Sequence, residues 1–261
     1  MGPLAVHITF RLADGRVLCR TSADRRRVAR SFVERDRCFK LIVFRIVDNH
    51  LHALVAVDRD DAAEFARRVE ISIQLSLRPG VHFSPAHYTL VESQRHLRHA
   101  FDYILDQEPR HGLDLDPLHD GSNLPDLLGM RTIGTFTATN VRELLPRVTR
   151  ADLTKRLPSP EVLDETQPLG FRELPYLADG AAAAFGLRRI QGLLPEALIA
   201  RIAAVRVGLR FAPVGLVARA LGISPSTVRR LRRHEVSEVV IEAVEAQARA
   251  RAAAGIGAAN F

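Results

Sequence analysis

His50-Leu51-His52 sets two imidazoles on either side of one apolar residue inside a strand-like run. Strand side chains alternate with period two, so His50 and His52 share a face while Leu51 turns to the other. Two neutral imidazoles on one face can hold a divalent cation, but they leave its shell incomplete. A third ligand and open positions for water or substrate are then required. A pair of imidazoles hydrogen-bonded at a strand end accounts for the same residues without chemistry.

Tyr103 and Gln107 weigh toward chemistry. Over residues 93–107, Leu97, Ala100, Phe101, Ile104 and Leu105 recur at helical spacing and define one apolar stripe. Tyr103 lies roughly 130° round the wheel from the centre of that stripe at about 100° per residue. His96, His99, Tyr103 and Gln107 share this second face at spacings of three and four, which brings their side chains together. A tyrosine half-exposed on an amphipathic helix is the alternative.

The elements that must position these groups can be read from the flanking patterns. Leu41-Ile42-Val43-Phe44-Arg45-Ile46-Val47, the break Asp48-Asn49, and His50-Leu51-His52-Ala53-Leu54-Val55-Ala56-Val57 predict a hairpin of central strands. Val6-His7-Ile8-Thr9-Phe10-Arg11 reads as an opening strand, and a further strand surrounds Tyr88.

Asn49-His50-Leu51-His52 followed by Tyr103-Ile104-Leu105-Asp106-Gln107 resembles the active site of the HUH single-tyrosine transposases, most closely the REP-associated tyrosine transposases. The likeness runs over roughly residues 5–130, about half the chain. Where such relatives commonly carry Asn-Pro after the tyrosine, Gln107-Glu108-Pro109 stands here, closer to the insertion-sequence branch. The resemblance implies His50 and His52 as metal ligands, Gln107 as the third, and Mg²⁺ or Mn²⁺ as the ion. Tyr103 is then the nucleophile that attacks single-stranded DNA, leaving a 5′-phosphotyrosine link and a free 3′-hydroxyl. A divalent ion polarises the scissile phosphate without a strong base, and the covalent link conserves the bond for rejoining. A free phenol ionises near pH ~10, so cationic charge or metal must assist.

Composition agrees with a nucleic-acid partner. The 261 residues carry 37 Lys+Arg against 30 Asp+Glu, a formal charge of +7, and such a surplus favours phosphate backbones. No apolar run approaches a membrane span, Met1-Gly2-Pro3-Leu4 lacks a signal-peptide pattern, and a cytoplasmic, nucleoid-associated protein is expected. Cys19 and Cys38 are too few for a disulfide framework and lack metal-type spacing. Arg25-Arg26-Arg27 with Arg30, and Arg67-Arg68, read as solvated helix faces. Arg95 and Arg98 fall within about two turns of Tyr103 and could grip flanking phosphates. Arg11 is a further DNA-binding candidate.

Beyond about residue 112 the turn formers His111-Gly112, Asp116-Pro117, Gly121-Ser122-Asn123-Leu124-Pro125 and Leu157-Pro158-Ser159-Pro160 predict a loop-rich connector. Within it, a short helix capped by Thr139 or Asn140 is expected. Residues 214–233 then resemble a helix-turn-helix. Ala218 is the small residue, Gly222 the turn glycine, Val228 the apolar anchor, and Ser224-Pro225 open the second helix. Ser226, Thr227, Arg229 and Arg230 could enter a major groove, and Arg232 and Arg233 could meet phosphates. A helical hairpin with a basic face is the alternative. The alanine-rich stretch 243–254 reads as a trailing helix that frays toward Gly255.

The expected fold is therefore α+β. Residues 1–120 form a ferredoxin-like HUH domain, an antiparallel sheet with helices on one face and a DNA groove on the other. Residues 121–175 form the connector, and residues 176–261 an all-α region. The leading function is a metal-dependent tyrosine transposase that cleaves and rejoins single-stranded or hairpin DNA, with duplex DNA met through the helix-turn-helix, as a monomer or homodimer. A catalytically silent DNA-binding regulator derived from such a transposase is the runner-up. A metal-dependent hydrolase using the His pair stands last, for want of further acidic or histidine ligands.

Overall fold

A computed structural model describes residues 2–35, 39–107, 116–163 and 168–258. Cys38, Glu108, Pro109 and the expected His111-Gly112 turn lie outside the described residues. The chain divides into two compact units: Met1–Leu127 with Gly134–Leu153, and Leu128–Ile133 with Thr154–Phe261. The boundaries expected at 120 and 175 fall inside these units. Among the described residues, no helix is long and apolar enough to cross a membrane.

The first unit is α+β. Its strands are β1 (Ala5–Arg11), β2 (Leu41–Ile46), β3 (His50–Val55) and β4 (His87–Val91). Helix α1 (Ser22–Arg35) links β1 to β2, α2 (Arg59–Leu77) links β3 to β4, and α3 (Gln94–Leu105) follows β4. The sheet order is β2-β3-β1-β4 and every pairing is antiparallel. Each helical connection therefore skips one strand, giving two interleaved crossovers.

Register decides which residues share a face. His52 pairs with Thr9 and Arg45, His50 with Arg11, and Leu54 with His7 and Val43. Directly paired residues point the same way, so these side chains occupy one surface. The opposite surface carries Ile8, Phe10, Phe44 and Ala53 beneath α1 and α2. There Phe32 of α1 stacks on Phe44 at 4.5 Å between ring centres, meets Phe10 edge-on at 6.0 Å, and lies 6.2 Å from Phe65 of α2.

Helices do not keep to that one face. The stripe of α3 (Leu97, Ala100, Phe101, Ile104 and Leu105) is buried against β2 and β3, and Tyr103 meets the histidines. A stripe this wide needs a partner, and the His-bearing face offers Val43 and Leu54 beside its polar residues. The expected open groove is thus partly roofed by the tyrosine helix itself.

The stretch expected as a connector is divided: residues 121–127 and 134–153 belong to the first unit, and 128–133 and 154–175 to the second. Short helices α4 (Leu124–Leu127), α5 (Phe136–Leu144) and α6 (Arg150–Thr154) occupy it. Helix α5 begins at Phe136, ahead of the expected Thr139 or Asn140 cap, and Asn140 lies within it, its side-chain amide donating to the Leu41 carbonyl at 2.8 Å. Asn123 accepts from Phe44 N at 3.2 Å and donates to Ile42 O at 3.0 Å, and Ile46 N donates to Gly121 O at 2.7 Å. Residues 121–123 and Asn140 thus satisfy the outer edge of β2. Arg25 and Arg26, expected on a solvated face, are 3% and 2% exposed. They sit 4.0 Å from Asp116 and 3.6 Å from Asp120. Arg67 and Arg68 do lie in solvent, paired with Glu64 on their own helix.

The second unit is helical: α7 (Leu177–Ala184), α8 (Pro195–Gly208), α9 (Val214–Leu221), α10 (Pro225–Leu231) and α11 (Glu238–Ala254). Helix α11 is a core element, contrary to the expected fraying tail, with Ala243, Val244 and Ala248 fully buried. Its buried Arg251 donates to Asp179 at 2.6 Å and to Gln247 at 2.6 Å. Small residues let α11 approach α7 closely: a Cβ on Gly180 would stand 2.9 Å from Ala248 N.

Candidate functional site

The β2-β3 turn sets the first histidine. Val47 N closes the turn onto His50 O at 2.9 Å, which brings the Asn49 side chain beside the ring that follows it. Asn49 Oδ1 lies 2.8 Å from His50 Nδ1. An amide oxygen can only accept, so His50 donates from Nδ1.

His52 lies further in, 4% exposed. Its ring centre is 4.8 Å from that of His50, nearly perpendicular at 87°. Its Nδ1 is 3.0 Å from His7 Nε2 and 3.3 Å from Thr9 Oγ1, both on β1. Its Nε2 is buried without a hydrogen-bond partner among the described residues. Burial, followed by the charges of His50, His7 and Arg11, lowers the pKa of His52 to about 3. Burial, then His87 and His96, lowers that of His7 to about 4. Both rings are neutral near pH 7, the form in which imidazole binds metal.

Tyr103 arrives from above. Ser93 caps α3 by accepting from His96 N at 3.2 Å, and the buried stripe then fixes the rotation of the helix. Tyr103 is left 48% exposed, its ring edge-on to His52 at 5.8 Å and to His7 at 6.1 Å between centres. The structure thus brings His50, His52 and Tyr103 together, with Arg11 on the same sheet face opposite His50.

Gln107 follows directly on the end of the tyrosine helix. Helix α3 stops at Leu105 with Asp106 as its C-cap, and Gln107 N turns back to Ile104 O at 3.5 Å. Gln107 therefore lies just past the end of the helix that carries Tyr103. Among the described residues its side chain makes no hydrogen bond to either histidine. No cluster of three or more His, Cys, Asp or Glu among the described residues could hold a metal. The donor set that fits an ion is thus two imidazoles, one with a buried nitrogen that lacks a partner among the described residues, and the remaining positions fall to water, substrate or an amide.

The arginines differ among themselves. Arg98 Nε donates to Asp102 at 2.7 Å and its other arm lies 3.7 Å from Asp152, so this cation is already matched by two carboxylates. Arg95 is exposed and forms no ion pair among the described residues. It lines an open cleft of about 1070 Å³ along α3 with His96, His99, Glu143 and Arg147.

In the second unit, Gly222 ends α9 at φ 62°, and Ser224 caps α10 by accepting from Thr227 N at 3.1 Å. Val228 and Ala218 are buried as expected, while Arg229 and Arg230 are exposed. The hydroxyls of Ser226 and Thr227 lie 2.8 and 2.9 Å from Ser224 Oγ, tying them to the cap. The second helix is shorter than expected: Arg232 takes its C-cap, and Arg233 follows in the turn.

His7, Asn49 and Arg45 were not singled out from the sequence as site residues. The alternation of His7, Thr9 and Arg11 along β1 carried a signal, but joining it to the His pair needed the β1-β3 register. Arg45 lies opposite His52, 2% exposed, with one arm hydrogen-bonded to the His119 ring.

No protein-family model matches the chain, and no curated protein does. Among solved structures, a REP-associated tyrosine transposase bound to a REP hairpin is similar at 20% identity and a TM-score of 0.33, covering 40% of this chain and 66% of that one. The chain thus spans just under two thirds of that protein, and a likeness of this size assigns neither role nor substrate.

Proposed function

We propose that the chain is a metal-dependent, single-tyrosine DNA strand transferase of the HUH kind, built on a ferredoxin-like first unit. The observation that carries this reading is the convergence of His50, His52 and the exposed Tyr103 on one face of the sheet. A structural role requires neither an unsatisfied buried imidazole nitrogen nor a tyrosine turned away from its helix's core stripe beside it.

In this reading His50 and His52 hold Mg²⁺ or Mn²⁺, with Gln107 as a further ligand once substrate draws it in. The ion, when bound, polarises the scissile phosphate. Tyr103 gives its phenolic proton to solvent and its oxygen attacks phosphorus. The P–O3′ bond breaks, and the departing 3′-oxygen takes up a proton to become a hydroxyl. A 5′-phosphotyrosine remains, and attack on it by a 3′-hydroxyl restores the phosphodiester and the phenol. Arg11 and Arg95 bind flanking phosphates, and Arg98 braces the helix through its carboxylates. Such a protein would work among cytoplasmic DNA, as a monomer or homodimer.

Helices α9 and α10 serve as a helix-turn-helix, with Arg229 and Arg230 toward a duplex and Arg232 and Arg233 at phosphates. The exposure of these arginines beside a Ser224-capped helix also favours the second reading, a DNA-binding regulator without catalysis. Incubation with a library of single-stranded hairpin DNAs and Mn²⁺, followed by denaturing electrophoresis, separates the two. A covalent adduct that disappears with EDTA and in Tyr103→Phe is the expected result. Duplex binding with no adduct favours the regulator.

A further inference from the structure

His7 is the ring at this site that neither the His-x-His spacing nor the resemblance assigns a part. It stands on β1 with its centre 5.1 Å from that of His52 and 6.1 Å from that of Tyr103. Its Nε2 and His52 Nδ1 are 3.0 Å apart. Two ring nitrogens at that distance share one proton, so one donates and the other accepts. Thr9 Oγ1, 3.3 Å from the same Nδ1, is a second group able to accept there. The opposite nitrogen, His52 Nε2, has no partner among the described residues. A proton on Nε2 would strand a buried donor, while a proton on Nδ1 leaves Nε2 with a lone pair facing whatever fills the site.

We propose that His7 is a positioning residue: it accepts the Nδ1 proton of His52, fixes that tautomer and ring plane, and presents Nε2 to a divalent ion. The inference rests on the metal-dependent reading of the site. It gives His52 the same kind of support that Asn49 gives His50. Metal-bound histidines ordinarily donate their second ring N–H to an acceptor, and loss of that acceptor weakens metal binding by roughly 10–100-fold.

The test uses the full chain as wild type, His7→Gln and His7→Leu. Long-range ¹H–¹⁵N spectra of the metal-free protein read the His52 tautomer, and Mn²⁺ titration followed by EPR reads affinity. Wild type and His7→Gln, whose Oε1 can accept, are expected to hold His52 as Nδ1–H. His7→Leu is expected to mix tautomers and bind Mn²⁺ about tenfold or more weakly. Pulsed EPR should count two coordinated imidazoles. His52 protonated on Nε2 in the wild type, a third coordinated imidazole, or undiminished Mn²⁺ binding by a folded His7→Leu overturns the role of His7 and leaves the metal reading standing. Wild type that keeps the Nδ1–H tautomer but binds no Mn²⁺ overturns the metal reading, and this role with it. Should His7→Leu fail to fold, the wild-type tautomer and the His7→Gln affinity decide.

Discussion

Asn49 Oδ1, on the residue immediately before His50, accepts the Nδ1 proton of that histidine at 2.8 Å. The turn that ends β2 therefore also chooses the tautomer of the first histidine of β3. Asn49→Ala removes the acceptor, and Mn²⁺ affinity measured by calorimetry is expected to fall roughly tenfold. Asn49→Asp keeps an acceptor at the same position and should hold most of the affinity.

Tyr103 is half exposed, and its hydroxyl makes no hydrogen bond among the described residues. Tyr103→Phe should therefore leave stability within about 0.5 kcal/mol of wild type by thermal melting, while abolishing the covalent adduct. A large loss of stability would assign the phenol to the fold.

Acid should weaken the metal-free protein through its buried imidazoles. His7 and His52 titrate near 4 and 3 when folded, below the ~6.5 of a free imidazole. On acidification the unfolded chain takes protons first, so stability is fully present above about pH 6.5 and is lost as pH falls toward 4 and below. Urea melts in EDTA between pH 7.5 and 4 should show this slope, and His52→Gln should flatten it. A slope unchanged in His52→Gln would place the effect elsewhere.

The two arginines near the tyrosine should separate in binding assays. Arg95→Ala is expected to lower single-strand affinity and to reduce the salt slope by about 1, as for the loss of one phosphate contact. Arg98→Ala should change that slope little, because its charge is held by Asp102 and Asp152, and should cost ~1 kcal/mol of stability or less. Equal salt effects for the two would show that Arg98 leaves its carboxylates when DNA arrives.

Local pattern carried the hairpin, the common face of His50 and His52, the stripe of α3 and the Ser224 cap, since each depends on residues a few positions apart. Partners distant in sequence carried the rest. His7 joins the site because β1 pairs with β3. Arg25 and Arg26 are buried because Asp116 and Asp120, far along the chain, come to meet them. A wheel drawn to residue 107 could not show that α3 caps at Asp106, which leaves Gln107 past the end of the helix. Nor does alanine content foretell that α11 lies at the centre of its unit, where Gly180 lets it come close.

The carboxamides of Asn123 and Asn140 occupy backbone groups of β2 that would otherwise await another strand. A foreign chain seeking to lengthen the ladder by hydrogen bonding is thereby refused at that border. Growth of the sheet, whether in ordered self-association or in aggregation of damaged protein, is confined to the opposite border at His87–Val91, so a proline or charge placed there would act on both at once.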